Sequence, residues 1–386
     1  MSLRQTIEEE IRQSGPIPFS RYMELCLYHP ELGYYSRNAE QFGKAGDFYT
    51  SSDVHAVFGR LLARQFEEMW RALGSPETLE VLELGPGRGL VAQDVLDWSE
   101  KKFPEFFAAL RYTLVESSPA LRDRLQATLI RRFETGKAGL AKGLDTVTSS
   151  SGSVQRSLAP QVPMIVFANE FFDALPVDII SSEGELHIDS RDSHFVETWM
   201  PPSAAGLEFL DRYAVHPEPG ERIEAPLVGQ HSMDIVAGSV GRGFTVVIDY
   251  GYTRDELLAG RHRGTVMAYR QHSASSNPYE APGEQDITAY VNFTALAAAA
   301  EARGVQVEKL LTQAQFLMGI GEPNQFADAF EGCRLPQEKA KVALQLKHLA
   351  TPAGMGETFH VLVGSKGVDS EKVGQLSGLR FARSGL

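Results

Sequence analysis

A glycine-rich stretch constrains the fold of this chain more than any other feature of its sequence. Residues 83–89 read Glu-Leu-Gly-Pro-Gly-Arg-Gly; they follow an apolar run at 79–82 and precede 90–96, where apolar residues recur at helical spacing. This order predicts a strand, a tight turn and a helix, which is the repeating unit of α/β sheets. Glycines at alternate positions let the backbone approach a ligand closely. The turn is therefore expected to bind a nucleotide-like molecule.

The spacing of these glycines narrows the choice of ligand. A dinucleotide-binding turn has the pattern G-x-G-x-x-G, and a P-loop requires G-x-x-x-x-G-K-[ST]. This chain has G-x-G-x-G, and no Lys-Ser or Lys-Thr follows it. The pattern resembles the first motif of the class I methyltransferases that use S-adenosyl-L-methionine, and an ordinary glycine-rich turn is the alternative. Five residues are thereby assigned to the cofactor: Glu83, Gly85, Pro86, Gly87 and Gly89.

An acidic residue is expected where the second strand of the sheet ends. The predicted second strand, residues 111–115, is followed by Glu116 and Ser117. An acid at this place in a doubly wound domain can accept hydrogen bonds from both hydroxyls of a ribose. We therefore predict that Glu116 binds the ribose, and we assign Ser117 to the cofactor site as well. The alternative is a solvated acid at the start of the helix after Pro119, where carboxylates are also favoured.

A third polar turn follows the apolar strand predicted at 163–168. It reads Asn169-Glu170-Phe171-Phe172-Asp173. Because ligands of such sheets lie beyond the carboxyl ends of the strands, this turn is expected to face the same crevice as the glycines. We predict that Asn169 contacts the cofactor and that Glu170 and Asp173 act on the acceptor. The alternative is that the polar residues only form and cap the turn.

The order of predicted elements indicates an α/β core with additions. At 386 residues the chain exceeds the usual size of a single domain. Strands and helices alternate from about 74 to 184, as a parallel sheet requires. The expected division is an N-terminal helical extension contributing to the active site (1–73), two parts of the core (74–184 and 241–364), an inserted substrate-side subdomain (185–240) and a polar tail (365–386).

Charge and composition argue against several classes of protein. The net charge of −13 repels nucleic-acid phosphates and favours a cationic partner. Cys26 and Cys333 lie far apart without metal-type pairing, so neither a disulfide framework nor a metal site is predicted. No signal-peptide pattern and no run of about 18 apolar residues occurs. We therefore predict a cytoplasmic protein that binds neither membranes nor nucleic acids, while a homodimer stays open.

Further motifs extend the resemblance from about residue 17 to 364. They occur in a fixed order: His29-Pro30-x-x-Gly33-Tyr34-Tyr35, Gly46-Asp47-Phe48-x-Thr50-Ser51, the glycine turn, Ala168 to Pro176, Ile248-Asp249-Tyr250-Gly251, Pro282-Gly283-x-x-Asp286-Ile287-Thr288-Ala289 and Gln315-Phe316-Leu317. Together they resemble the MidA family, methyltransferases related to a mitochondrial complex I assembly factor. The resemblance implies a class I methyltransferase fold with a seven-stranded sheet and helices on both faces. It also implies S-adenosyl-L-methionine as the methyl donor and methylation of protein arginine.

The implied reaction assigns roles to the acids. Methyl transfer from a sulfonium is an in-line displacement, so the enzyme mainly aligns and desolvates the acceptor. Paired carboxylates can hold a guanidinium and draw its positive charge away from the attacking nitrogen. Glu170 and Asp173 are the candidates, with Asp47 third, and Gly46 is assigned to the cofactor. The alternatives are a methyltransferase acting on a small molecule, where one acid is a general base, and a non-catalytic assembly factor that keeps the fold.

Overall fold

The structure is a computed structural model that describes residues 2–36, 56–144, 162–261, 263–270, 273–351 and 354–383. Within these ranges no helix is both long and apolar enough to span a bilayer. The α-helices are Leu3–Ser14, Phe19–Tyr28, Ala56–Ala72, Leu90–Lys102, Pro104–Ala109, Pro119–Thr128, Ile130–Glu134, Ala204–Tyr213, Leu227–Ser239, Arg254–Leu258, Phe293–Glu301, Gln313–Gly321, Ala327–Phe330, Pro336–Ala350, Ser370–Val373 and Arg380–Arg383. The strands are β1 (Ile17–Pro18), β2 (Leu79–Leu84), β3 (Leu110–Val115), β4 (Ala138–Ala141), β5 (Met164–Asn169), β6 (Asp178–Ser181), β7 (Gly184–Arg191), β8 (His194–Met200), β9 (Ile223–Ala225), β10 (Gly243–Tyr252), β11 (Met267–Arg270), β12 (Ser273–Ser275), β13 (Asp286–Thr288), β14 (Val291–Asn292), β15 (Gln306–Val307), β16 (Leu311–Thr312) and β17 (Phe359–Lys366).

The largest sheet has seven strands along its main path, in the order β15-β17-β10-β5-β2-β3-β4. Two short strands, β14 and β16, pair with β10 and β17. The neighbours from β10 to β4 are all parallel, whereas β17 runs antiparallel to β10. Because parallel strands end at the same edge, the turns after β2, β3, β5 and β10 meet there. The predicted α/β sheet is confirmed.

Helices cover both faces of this sheet because its strands are apolar on both sides. Successive residues of a strand point to opposite faces, and Leu79 and Val81 of β2 pack with the helices Ala56–Ala72 and Leu90–Lys102. On the other face Leu82 and Leu84 belong to a core that includes residues of the helices Leu227–Ser239 and Phe293–Glu301. The helix Ala56–Ala72 buries an apolar stripe against this sheet: Val57, Phe58, Leu61, Leu62, Phe66, Met69 and Trp70.

A smaller layer joins the N-terminal segment to residues from the middle of the chain. Strand β1 pairs with β7, which lies in a five-stranded sheet with β6, β8 and β9. The helix Phe19–Tyr28 packs against this sheet and against the three-stranded sheet of β12, β11 and β13 through a shared apolar core. The N-terminal segment is therefore held by residues more than 150 positions later in the chain.

The segment after β17 packs on the core over much of its length. The helix Ser370–Val373 and the turn after it bury Val373, Leu376 and Leu379 against the core around the helix Ala56–Ala72. The N–H of Gly378 donates to Gln65 Oε1 at 2.8 Å. This stretch of the predicted polar tail thus contributes apolar side chains to the main core.

Candidate active site

The predicted strand, glycine turn and helix are present. Gly85, Gly87 and Gly89 have φ angles of +60°, +52° and +76°, a region where residues with a Cβ are strained. A Cβ on Gly85 would come within 2.8 Å of the Phe171 ring, and one on Gly89 within 2.7 Å of Leu125. A Cβ on Gly87 would meet nothing within 4 Å. Two glycines therefore allow close packing, while the third borders open space.

This open space is a cavity of about 280 Å³ at the carboxyl edge of the sheet. Its volume is near the lower end of the range for small-molecule sites, roughly 300–1,000 Å³. Of the predicted site residues it brings together Gly85, Gly87, Glu116, Ser117 and Glu170. The other residues that line it are Tyr28, Tyr35, Val115, Leu121, Gly143, Leu144, Phe171, Ala174, Leu175 and Ser232.

The remaining predicted residues are placed otherwise. Four of them belong to the same turns but are not among the described residues that line the cavity: Pro86, Gly89, Asn169 and Asp173. Glu83 is buried beneath the glycine turn, where Tyr112 Oη donates to its Oε2 at 2.9 Å. Burial raises the pKa of Glu83 to about 7. The other two, Gly46 and Asp47, lie outside the described residues.

Glu116 is held at the cavity by its own turn. The N–H of Ser118 donates to Glu116 Oε1 at 2.8 Å, and the Ser118 hydroxyl donates to the backbone carbonyl of Tyr35 at 2.7 Å. Burial raises the pKa of Glu116 to about 7, although the N–H of Ser118, the charge of Arg122 and the N–H of Ser117 act to lower this pKa. The N-terminal segment, through Tyr35, therefore contacts the turn that carries Glu116, the residue predicted to bind the ribose.

The turn after β5 carries one strained residue. Glu170 has a φ of +52°, in the left-handed region that residues other than glycine seldom adopt. The side-chain Nδ2 of Asn169 donates to Glu170 Oε1 at 3.0 Å. In the described part of the chain, Asn169 Oδ1 and Asp173 Oδ1 are buried without a hydrogen-bond partner. The turn thus supplies one carboxylate to the cavity wall and, in addition, two buried oxygens that have no hydrogen-bond partner among the described residues.

Asp249, near the end of β10, holds this turn in place. Its Oδ2 accepts from the N–H groups of Phe171, Phe172 and Asp173 at 3.2, 2.9 and 3.3 Å. Its Oδ1 accepts from the N–H of Tyr250 at 2.9 Å. Burial, followed by the nearby Glu170, raises the pKa of Asp249 to about 8. No site role was predicted for Asp249, although a strand ending in an acid beside β5 was a usable signal.

Comparison with known proteins identifies the class of enzyme to which this chain belongs. A family model for S-adenosyl-L-methionine-dependent methyltransferases matches residues 61–311. A Drosophila melanogaster protein named as a mitochondrial homologue of the protein arginine methyltransferase NDUFAF7 is 31% identical, covering 95% of this chain and 85% of its own length. The human NDUFAF7 protein is 27% identical, covering 91% and 80%. A crystal structure from Burkholderia thailandensis with bound S-adenosylhomocysteine has a TM-score of 0.80 at 27% identity, covering 98% and 94%.

These comparisons also correct one prediction. The cytoplasmic location is contradicted, because the curated relatives are named as mitochondrial proteins. That prediction rested on the absence of a signal-peptide pattern and of a long apolar run, and neither observation determines the compartment in which a protein resides.

The same comparisons confirm the predicted fold, cofactor and enzyme class. The chain has the class I methyltransferase fold, and S-adenosyl-L-methionine is its methyl donor. The matched region includes the glycine turn, Glu116, the turn after β5 and Asp249. This chain belongs to the MidA-type family of S-adenosyl-L-methionine-dependent methyltransferases.

Proposed function

We propose that this methyltransferase acts on arginine side chains of a protein. The observation that carries the proposal is the pair of acids on one turn beside the cofactor cavity: Glu170 lines the cavity, and Asp173 is buried behind it. Relatives named as protein arginine methyltransferases support the same class of acceptor. The net charge of −13 also favours the approach of a cationic partner.

For the methyl donor we propose a site built on three turns. Gly85, Pro86, Gly87 and Gly89 would cradle it, because the backbone at Gly87 borders open space that a side chain would fill. Glu116 and Ser117 would bind the ribose hydroxyls from the second turn. On the third turn, the unmatched Oδ1 of Asn169 offers a further acceptor. We also assign to this site Glu83, beneath the glycine turn, and Gly46 of the preceding segment.

When bound, S-adenosyl-L-methionine supplies an electrophilic methyl group: an N–C bond forms from a guanidinium nitrogen lone pair, the S–C bond breaks, sulfur keeps its electron pair, and one N–H proton leaves. Glu170 would accept N–H donors of the guanidinium at the cavity wall. Asp173 would draw positive charge toward the far side of the group, which leaves a lone pair more available on the attacking nitrogen. Burial and the neighbouring acids raise the pKa of Asp173. We propose Asp173 as the group that takes up the released proton. We propose Asp47 as a third acid.

Replacing Gly87 by Trp is expected to abolish cofactor binding, because the indole would occupy the cavity that Gly87 lines. Glu116→Ala should weaken binding by about tenfold or more, since hydrogen bonds to a charged acceptor are lost. Calorimetry with S-adenosylhomocysteine measures both. Gly220→Trp is the matched control, because Gly220 also has a positive φ and open space around it but lies on the exposed surface. Undiminished affinity in both test variants would contradict the assigned cofactor site.

The acceptor class is tested with peptides. Purified enzyme is incubated with methyl-labelled S-adenosyl-L-methionine and an arginine-containing peptide library, in parallel with the same library carrying lysine at every arginine position. We expect label only in the arginine library, with mass spectrometry placing the methyl group on a guanidinium nitrogen. The Gly87→Trp variant is the inactive control. Label on lysine instead, or on small molecules of a peptide-free host extract, would contradict the proposal.

A further inference from the structure

We propose that Asp286 is a further acid of the acceptor site, held there by Tyr35, and that it binds the edge of the guanidinium remote from Glu170. This inference rests on the proposed function. It adds a specificity-determining residue from a different part of the chain, the three-stranded sheet of β12, β11 and β13.

Asp286 is connected to the wall of the cofactor cavity through Tyr35. The Tyr35 hydroxyl donates to Asp286 Oδ1 at 2.8 Å, and Tyr35 itself lines the cavity. The backbone carbonyl of Tyr35 also receives the hydroxyl of Ser118, beside Glu116. Asp286 is only 5% exposed, so its carboxylate is directed into the protein and not toward bulk water. One tyrosine thus joins the predicted ribose turn to this acid.

Asp286 is also an electrostatic neighbour of Asp173. The carboxyl of Asp173 has its pKa raised by burial first, and then by Asp249, Glu170 and Asp286. Asp173 is 5% exposed, and its buried Oδ1 has no hydrogen-bond partner among the described residues. Burying an unmatched carboxylate oxygen is costly unless a donor arrives. A cationic donor that enters between Asp173 and Asp286 would satisfy it.

The chemistry of this arrangement suits a guanidinium. That group presents five N–H donors in a rigid plane with more than one hydrogen-bonding edge. Glu170 and Asp286 come from different elements and can therefore face different edges. Tyr28 and Tyr35, whose ring centroids are 5.5 Å apart, both line the cavity and offer flat aromatic surface for a planar cation. Among the described residues, no cluster of three or more His, Cys, Asp or Glu is arranged to hold a metal ion.

The alternative is that Asp286 only stabilises the fold through Tyr35. The two roles differ in one measurable quantity, the preference for arginine over citrulline. Citrulline has nearly the same shape as arginine but carries a neutral urea. An acid that binds the substrate contributes to this preference, whereas an acid that only supports the fold does not.

The experiment measures binding of the peptide acetyl-Gly-Gly-Arg-Gly-Gly-amide and its citrulline counterpart to enzyme saturated with S-adenosylhomocysteine. We expect the native enzyme to prefer arginine, and Asp286→Asn to reduce that preference by roughly tenfold, as expected when one charged acceptor is lost. Tyr35→Phe should reduce it less, because the acid remains but is no longer held. Affinity for S-adenosylhomocysteine should stay unchanged in Asp286→Asn.

Glu224→Gln is the matched control. Glu224 is a buried acid, 1% exposed, whose Oε1 accepts the N–H groups of Thr265 and Val266 at 2.6 and 3.3 Å, and it lines a separate cavity. The Glu224→Gln enzyme should prefer the arginine peptide over the citrulline peptide as strongly as the native enzyme does. An unchanged preference in Asp286→Asn, or a loss of S-adenosylhomocysteine binding together with peptide binding, would overturn the role of Asp286. An absence of preference in the native enzyme would instead contradict the proposed function itself.

Discussion

Replacing Glu170 by Gln is expected to reduce kcat about 10²- to 10⁴-fold while leaving the affinity for S-adenosylhomocysteine nearly unchanged. The amide keeps the size of the side chain and can still accept the hydrogen bond from Asn169 Nδ2, so the turn should keep its shape. The substitution removes the negative charge that, in our proposal, binds the guanidinium. Single-turnover transfer of labelled methyl to an arginine peptide measures the chemical step. Calorimetry with S-adenosylhomocysteine measures cofactor binding separately.

Asp192→Asn is the control for this experiment. Asp192 is another acid in the left-handed region, with a φ of +49°, but it lies exposed in the turn between β7 and β8. The same change from acid to amide should leave kcat unaltered there. If Glu170→Gln keeps the native kcat, Glu170 has no part in methyl transfer, and the substrate would have to be oriented by other groups.

Replacing Asp249 by Ala is expected to lower the free energy of unfolding by about 3 kcal/mol or more. Four backbone N–H groups, those of Phe171, Phe172, Asp173 and Tyr250, lose their acceptor at once. Each buried donor left unmatched costs about 1–3 kcal/mol, partly offset because a buried carboxylate no longer has to be desolvated. Asp249→Asn should lose less, since its amide oxygen still accepts. Urea unfolding of both variants, in the absence of cofactor, measures the difference.

Asp369→Ala provides the comparison. Its carboxylate also accepts two backbone N–H groups, those of Glu371 and Lys372 at 2.8 and 3.4 Å, but at the exposed start of a short helix. Loss of such a cap costs about 1 kcal/mol. If Asp249→Ala is no less stable than Asp369→Ala, the carboxylate does not hold the turn, and the position of Glu170 must depend on its other contacts.

The parts of the site that lie close together in the chain were predictable. The turn 83–89, Glu116 and the turn after β5 each follow an apolar strand directly, so local spacing was sufficient to locate them. Parallel strand ends meet at one edge, which brought these turns to a common crevice without further information.

The contacts that complete the site could not be predicted in this way because they join distant parts of the chain. Asp249 accepts from N–H groups 76 to 78 residues earlier, and Tyr35 donates to Asp286, 251 residues later. Both depend on strand order and on how the N-terminal segment folds over the middle of the chain. A pattern read along the sequence identifies the turn, but it does not identify what supports the turn.

The backbone of Glu170 has a further consequence for how this protein can change. A residue other than glycine in the left-handed region adds backbone strain of the order of 1 kcal/mol or more to the folded state. Glu170 lies in that region, with a φ of +52°. Glycine would relieve the strain, although it would also give the unfolded chain more freedom. If Glu170 has the role in methyl transfer that we propose, glycine at this position would favour stability at the expense of activity. Variants selected only for resistance to heat should then lose methyl transfer while they keep the fold.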